Sequence, residues 1–415
     1  MDRTPARPAA PAPLPEQTLR IGTHCRVGVL GAGAMGTGIA QVAAAHGHEV
    51  VLVDTSEPAL ARARERLEQA FHRDVEKGRL AREDAEAAMS RVTPARAGGD
   101  GPIGAFAGCG LVIEAIVERL DAKRDSFARV EAAVDDGCVL ATNTSSLSVS
   151  SIAAGCRRPQ RVLGVHFFNP APVMPLVELV PGVQTDPAVL GAVGALVDTW
   201  GKTTVVAADT PGFIVNRIAR PFYGEALRLY DEGLAEPETI DWAMREIGGF
   251  RMGPFELMDF IGHDVNFSVT RSVYEAFFHD PRYRPSLTQQ RMVEAGLLGR
   301  KTGRGFYDHA PGATPPAPVT DRAAGEAIVE RIVAMLINEA ADAVYLRIAT
   351  PGHIDLAMTK GVNYPRGLLR WADEWGAARV VARLDALQEE YREDRYRASP
   401  LLRRMAREGK RFFER

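Results

Sequence analysis

The stretch RVGVLGAGAMGTGIA, Arg26 to Ala40, runs from a short apolar segment into Gly31, Gly33 and Gly36 and then into a helical pattern that reaches Gly47. This is G-x-G-x-x-G in a strand-turn-helix setting. The first glycine permits a tight turn, the second lets the backbone approach a pyrophosphate, and the third lets helix pack on strand. The helix N-terminus at Ala34 and Met35 is then left facing the phosphates. A second apolar run, Glu49 to Val53, ends at Asp54, 18 positions past the third glycine. A carboxylate there accepts hydrogen bonds from the adenosine ribose hydroxyls and repels a 2′-phosphate, so the pattern implies NAD rather than NADP.

Outward from this unit, the apolar runs VGVL, VVLV, LVIEAIV, CVLAT, RVLGVHFF and TTVVA are short, β-branched and continuous rather than alternating. Strands buried on both faces read this way, so a mostly parallel, Rossmann-like sheet is expected up to about Val206. Between Glu57 and Ser90 a highly charged segment reads as two helices joined near Lys77 and Gly78.

Within RVLGVHFFNPAPVMPLVELV, Arg161 to Val180, His166 and Glu178 stand twelve residues apart on two strand-like runs separated by a Pro-rich turn. An imidazole can take a hydroxyl proton near neutral pH, and a carboxylate on its other nitrogen fixes the tautomer and stabilises the cation. The pair suits alcohol oxidation by a general base.

Composition sets the frame for this chemistry. The chain of 415 residues with 46% hydrophobic content can fill more than one core. Fifty basic residues against 53 acidic give a net charge of −3, which argues against nucleic-acid or membrane-surface binding through bulk charge. Cys25, Cys109, Cys138 and Cys156 form no C-x-x-C or Cys/His cluster, so no structural metal is expected, and they read as reduced thiols of a cytoplasmic protein. No apolar run approaches membrane-spanning length, and the Pro-rich start, MDRTPARPAAPAPLPEQ, lacks the apolar segment of a signal peptide and reads as a disordered tail.

After Asp209 the pattern is helical and repeats at an offset of 114 residues. Arg217-Ile218 matches Arg331-Ile332, Glu225 matches Glu339, Asp241 matches Asp355, Met244 matches Met358, Gly253 matches Gly367, Asp259 matches Asp373, and Gly262 matches Gly376. The Pro-rich HAPGATPPAPVTD lies between the copies. The expected organisation is a tail over 1–24, an NAD-binding domain over 25–207, a helical domain over 208–308, a linker over 309–321 and a related helical domain over 322–415. Asn216 aligns with Glu330, so only the first copy should serve the active site.

The chain resembles the 3-hydroxyacyl-CoA dehydrogenase family through nearly everything after residue 24. The resemblance rests on GAGAMGTGIA, EAIVERLDAK, ATNTSSLS, HFFNPAPVMPLVELV, DTPGFIVNR and GRKTGRGFYD. It implies a Rossmann-like α/β domain followed by two all-α domains of the 6-phosphogluconate-dehydrogenase-like type, with an acyl-CoA substrate and (S) stereochemistry. The later helical part, GFRMGPFELMDFIGHDVN and GVNYPRGLLRWADEWG, looks most like the subgroup with a duplicated C-terminal domain. That subgroup acts on 3-hydroxybutyryl-CoA or 3-hydroxyadipyl-CoA, in fatty acid β-oxidation or phenylacetate breakdown.

By the same resemblance His166 is the base and Glu178 its orienting carboxylate. Ser145 lies near the substrate's C3 oxygen, with Ser146 its easily confused neighbour, and Asn216 supplies an amide to the developing carbonyl. Glu118 and Lys123 fall on the nicotinamide side, and Asn143 is a further candidate there. A distal carboxylate on the acyl chain would need a cation, for which Arg217, Arg220 and Arg251 are unranked candidates. In single-copy relatives the helical domain pairs with another subunit, so the second copy could replace that partner within one chain; a homodimer is the alternative. Two rival readings are a β-hydroxyacid dehydrogenase of the hydroxyisobutyrate type, which would use a helical lysine, and a crystallin-like NAD-binding protein without turnover.

Overall fold

The computed structural model describes residues 19–414 apart from 100 and 102. The chain divides into two compact units, the first ending at Asp209 and the second beginning at Thr210. Most of the expected tail over 1–24 lies outside the described residues. Of the remainder, Leu19 and Ile21 pack on the sheet core and the Arg20 N–H donates to the Gly137 carbonyl at 2.9 Å, so packed chain begins before residue 25.

The first unit alternates strands and helices: β1 (Arg26–Leu30), α1 (Ala34–Ala45), β2 (Val50–Asp54), α2 (Glu57–Glu76), α3 (Arg82–Ser90), β3 (Val92–Arg96), β4 (Cys109–Glu114), α4 (Leu120–Glu131), β5 (Val139–Thr142), α5 (Val149–Ala153), β6 (Val162–Phe167), β7 (Leu176–Pro181), α6 (Pro187–Thr199) and β8 (Thr203–Val206). They form one sheet in the order β3-β2-β1-β4-β5-β6-β7-β8. The first six strands run parallel; β7 turns back antiparallel to β6, and β8 runs parallel to β7.

Both faces of the sheet are covered, which is why its strands read as unbroken apolar runs. Val27, Val29, Leu111 and Ile113 join a core with α1 and α6, whereas Val51, Val53, Val112 and Leu140 join one with Phe127 and Ile152 on the other face. The sequence pattern missed β3, whose run VTPAR contains Pro94. A strand with proline cannot complete a central ladder, and β3 sits at the sheet edge. Because β1 to β6 are parallel, their C-terminal ends share one edge, where such sheets bind ligands. Asp54, Glu114 and His166 lie at or beside those ends.

The second unit is helical: α7 (Val215–Ile218), α8 (Arg220–Asp231), α9 (Pro237–Trp242), α10 (Pro254–Ile261), α11 (His263–Ala276), α12 (Leu287–Glu294), α13 (Arg322–Tyr345), α14 (Pro351–Gly361), α15 (Leu368–Trp375), α16 (Ala377–Tyr391) and α17 (Pro400–Glu408). The repeat read in the sequence recurs as geometry. Asp241 accepts the N–H groups of Phe255 and Glu256 at the start of α10, and Asp355 accepts those of Leu369 and Arg370 at the start of α15. A Cβ on Gly253 or on Gly367 would stand 2.2 Å from the capping aspartate, so both positions exclude a side chain.

Seen across the unit, the copies exchange charges. Arg217 on α7 pairs with Glu339 on α13, while Arg331 on α13 pairs with Glu225 on α8. The Tyr283 hydroxyl adds to Glu339, and the Tyr396 hydroxyl adds to Glu225 at 3.0 Å. Each glutamate is thus paired with an arginine from the stretch that repeats its own at the 114-residue offset. No helix among the described residues is long and apolar enough to cross a membrane.

Candidate active site

His166 and Glu178 are directly opposite each other in the β6–β7 ladder. Their side chains therefore leave the same face, and His166 Nδ1 meets Glu178 Oε2 at 2.7 Å with residue exposures of only 5% and 0%. A carboxylate only accepts, so Nδ1 carries the proton and Nε2 is the basic nitrogen of the neutral ring. The Pro-rich turn that brings the strands back is held by Lys202, whose ammonium donates to the carbonyls of Ala171 at 2.6 Å and Met174 at 2.9 Å. Burial lowers the Lys202 pKa, and nothing in the sequence pattern marked this residue.

A second polar network lies at the ends of β4 and β5. Lys123 is 1% exposed and its ammonium sits 2.6 Å from Glu114 Oε1 and 3.1 Å from Glu118 Oε2. Glu114 also accepts the Ile116 N–H and the Thr142 hydroxyl, both at 2.7 Å, so a fully buried carboxylate has every contact it needs. The EAIVERLDAK motif contains Glu114 without marking a role for it; an acid ending a strand nine residues before a lysine was the signal.

Glu118 Oε1 gathers the Thr144 hydroxyl, the N–H groups of Ser145 at 3.0 Å and Ser146 at 3.2 Å, and the Ser146 hydroxyl at 3.0 Å. Burial alone would raise its pKa, but the Lys123 ammonium and these hydrogen bonds outweigh that and hold it below the ordinary carboxylate range. The two serines are thereby distinguished. The Ser146 hydroxyl is committed to Glu118, whereas the Ser145 hydroxyl has no hydrogen-bond partner among the described residues. Asn143 Oδ1 accepts the Phe167 N–H at 2.8 Å, tying this loop to the residue after His166 and leaving the Asn143 NH₂ to donate elsewhere.

The ATNTSSLS and DTPGFIVNR motifs meet through Asp209, which accepts the Ser148 hydroxyl at 2.9 Å and the N–H groups of Val149 and Ser150 at 2.9 and 2.7 Å. Asn216 belongs to the second unit, half-buried on α7, and its carbonyl accepts from Arg220 Nε at 2.8 Å.

At the glycine loop, Gly31 has φ +106° and a Cβ there would lie 2.6 Å from the Ala115 carbonyl oxygen, while a Cβ on Gly36 would lie 1.8 Å from the Gly31 carbonyl oxygen, so both positions exclude a side chain. A Cβ on Gly33 would meet nothing within 4 Å, which leaves approach to the backbone open. The first turn of α1, beginning at Ala34 and Met35, has no side-chain cap and no acidic residue. Asp54 accepts the Ala32 N–H at 2.8 Å and the Ser56 N–H at 2.9 Å, fixing its carboxylate beside the loop. These features fit a bound dinucleotide pyrophosphate and ribose. No cluster of metal-ligating residues occurs among the described residues.

The family model for the NAD-binding domain of 3-hydroxyacyl-CoA dehydrogenase matches residues 26–210, and that for its C-terminal domain matches two stretches, 212–309 and 328–411. The chain belongs to the 3-hydroxyacyl-CoA dehydrogenase family. It is accordingly an NAD-dependent oxidoreductase, and the hydroxyisobutyrate-type reading falls away. It is 39% identical to the 3-hydroxyadipyl-CoA dehydrogenase of Escherichia coli K12 over 92% of this chain and 97% of that protein. It is 42% identical to a 3-hydroxybutyryl-CoA dehydrogenase of Bradyrhizobium diazoefficiens, covering 70% of this chain and 97% of the relative. Among solved structures, a 3-hydroxybutyryl-CoA dehydrogenase from Escherichia coli K12 superimposes with a TM-score of 0.87 at 37% identity, over 92% of this chain and 98% of that one.

Proposed function

We propose that the chain catalyses the reversible oxidation of (S)-3-hydroxyacyl-CoA to 3-oxoacyl-CoA, with 3-hydroxyadipyl-CoA as the preferred substrate and His166 as the base. The observation that carries this reading is the register-locked pair of His166 and Glu178, 2.7 Å apart and buried. His166 Nε2 takes the C3 hydroxyl proton, and Glu178 steadies the imidazolium that forms; in the reverse direction the ring returns the proton. The uncommitted Ser145 hydroxyl steadies the C3 oxygen, and the Asn216 amide holds the developing carbonyl without titrating. NAD, when bound, supplies the hydride acceptor. Gly31, Gly33, Ala34, Met35 and Gly36 would hold its pyrophosphate, and Asp54 its adenosine ribose. Asn143, Lys123 and Glu118 belong to its nicotinamide side, where Glu118, kept ionised by Lys123, also positions the Ser145 backbone.

The full-length relative named for 3-hydroxyadipyl-CoA supports the dicarboxylic substrate, whereas a solved structure of similar coverage bears the name of the four-carbon activity. The rates of NADH oxidation with 3-oxoadipyl-CoA and acetoacetyl-CoA, compared as kcat/KM, decide between them. A preference of about tenfold or more for the dicarboxylic thioester supports this reading. The reverse preference makes the chain a 3-hydroxybutyryl-CoA enzyme, and inactivity on both overturns the assignment of the base.

We also read the second unit as two copies, 208–308 and 322–415 joined by 309–321, the second standing where single-copy relatives place a partner subunit. The reciprocal pairs Arg217–Glu339 and Arg331–Glu225 support this, and a monomer is expected in solution. Four free cysteines suit a cytoplasmic setting.

A further inference from the structure

Three arginines could answer a distal carboxylate on the acyl chain, and their surroundings rank them. Arg217 is closed off by Glu339 and Asp342. Arg251 is exposed, so solvent screens its charge. Arg220 differs from both. It is 7% exposed and has no carboxylate within ion-pair reach among the described residues. Its Nε donates to the Asn216 carbonyl at 2.8 Å and its Nη1 to the Thr270 hydroxyl at 3.0 Å, while Nη2 has no hydrogen-bond partner among the described residues. A buried guanidinium satisfied only by neutral groups is costly unless an anion joins it.

A second observation stands beside it. The Tyr364 hydroxyl is buried without a hydrogen-bond partner, in a residue only 6% exposed. The Tyr364 ring packs 5.7 Å from that of Phe222, two residues after Arg220 on α8, and the Arg220 guanidinium lies over the Tyr223 ring, 5.1 Å from its centre. Burial raises the pKa of both phenols, so both stay neutral and able to donate. One cation with a spare N–H and one phenol with a spare hydroxyl fit the two oxygens of a carboxylate.

The geometry points to Arg220, assisted by Tyr364, as the residue that recognises the terminal carboxylate of a dicarboxylic 3-hydroxyacyl-CoA. This rests on the proposed function, in which Asn216 holds the C3 oxygen. Arg220 follows Asn216 by one helical turn, roughly 6 Å of rise, and its guanidinium curls back over that turn to reach the Asn216 carbonyl. In an adipyl chain three C–C bonds, roughly 4 Å, separate C3 from the terminal carboxyl carbon. A neutral acyl tail would leave Arg220 and Tyr364 as they are, with no partner gained, which is how a polar site rejects an apolar analogue.

The test compares kcat/KM for 3-oxoadipyl-CoA with that for 3-oxohexanoyl-CoA, a neutral thioester of equal length, in the intact protein and in Arg220→Met and Tyr364→Phe. The dicarboxylic-to-neutral ratio is expected to exceed one in the intact protein, to fall roughly 100-fold in Arg220→Met, and to fall about 10-fold in Tyr364→Phe. A merely structural role lowers both rates together and leaves the ratio fixed, which overturns the proposal. Should Arg220→Met fail to fold, Tyr364→Phe removes a single oxygen and decides the matter alone. Intact protein that favours the neutral thioester defeats the dicarboxylic reading itself, an outcome separate from an unchanged ratio in the variants.

Discussion

Arg331 donates to Glu225 at 3.0 Å, and the residues 114 positions away from each, Arg217 and Glu339, form the same pair in the opposite sense. Both pairs are almost wholly buried. Removing either glutamate leaves its arginine with only a second carboxylate, Asp342 for Arg217 and Glu232 for Arg331, so the loss falls below the roughly 3–5 kcal/mol of a partner left with none. Glu339→Leu and Glu225→Leu are each expected to destabilise the protein by roughly 2–3 kcal/mol in denaturant titrations. Losses under about 0.5 kcal/mol would show that the seam between the copies is not held by these charges.

Deleting residues 322–415 takes away Glu339, Arg331 and the apolar face of α13 together. The shortened chain is expected to dimerise or aggregate in light scattering coupled to gel filtration, because the surface left on α8 has lost its cover. A soluble, active monomer would refute the view that the second copy stands in for a partner.

His166→Ala should lower kcat by at least about 100-fold while NADH still binds, since the base contributes to the chemical step and not to the cofactor site. Glu178→Gln keeps a hydrogen-bond acceptor for Nδ1 but removes the charge, and a loss of roughly 10- to 100-fold is expected. Single-turnover rates and NADH fluorescence titrations separate the two effects.

Ser145→Ala is expected to reduce kcat, and Ser146→Ala to act more weakly, because only the Ser146 hydroxyl is already bound to Glu118. Parallel steady-state measurements check the order. Equal losses would mean that both serines act only through the loop.

The GRKTGRGFYD segment is held by Asp259, which accepts the N–H groups of Phe306 and Tyr307 at 3.0 Å and contacts His263 and His309 at 2.8 Å. Burial would raise its pKa, but these bonds outweigh that and lower it from the ordinary 3.8. A carboxyl lowered on folding stabilises above its unfolded pKa, and that contribution disappears as pH falls through the folded value. The stability difference between the intact protein and Asp259→Asn should therefore be full at neutral pH and shrink below about pH 3.8. A difference that grew on acidification would contradict the sign.

Much of this was legible because the signals were local. The glycines at 31, 33 and 36 announce their turn wherever the chain goes, and His166 with Glu178 lie on two strands joined by one short turn. The repeat was readable because Asp241 and Asp355 cap their helices with the same spacing. What escaped was set by distant partners. Pro94 hid β3, which exists because β2 offers it an edge. Lys202 and Glu114 become meaningful only beside the carbonyls and the ammonium they meet. The arginines could not be ranked until the acids around Arg217, and their absence around Arg220 among the described residues, were known.

The exchange of charges between the copies also bears on the order of synthesis. Glu225 leaves the ribosome well before Arg331 and Arg395, which neutralise it, and Tyr396, whose hydroxyl donates to it, since these are encoded 106, 170 and 171 residues later. The first helical copy therefore cannot settle while it is the newest part of the chain; its buried acid waits for α13 and for the turn that carries Arg395 and Tyr396. Domains usually fold in turn from the N-terminus, but here the first half of the second unit must be completed by the last.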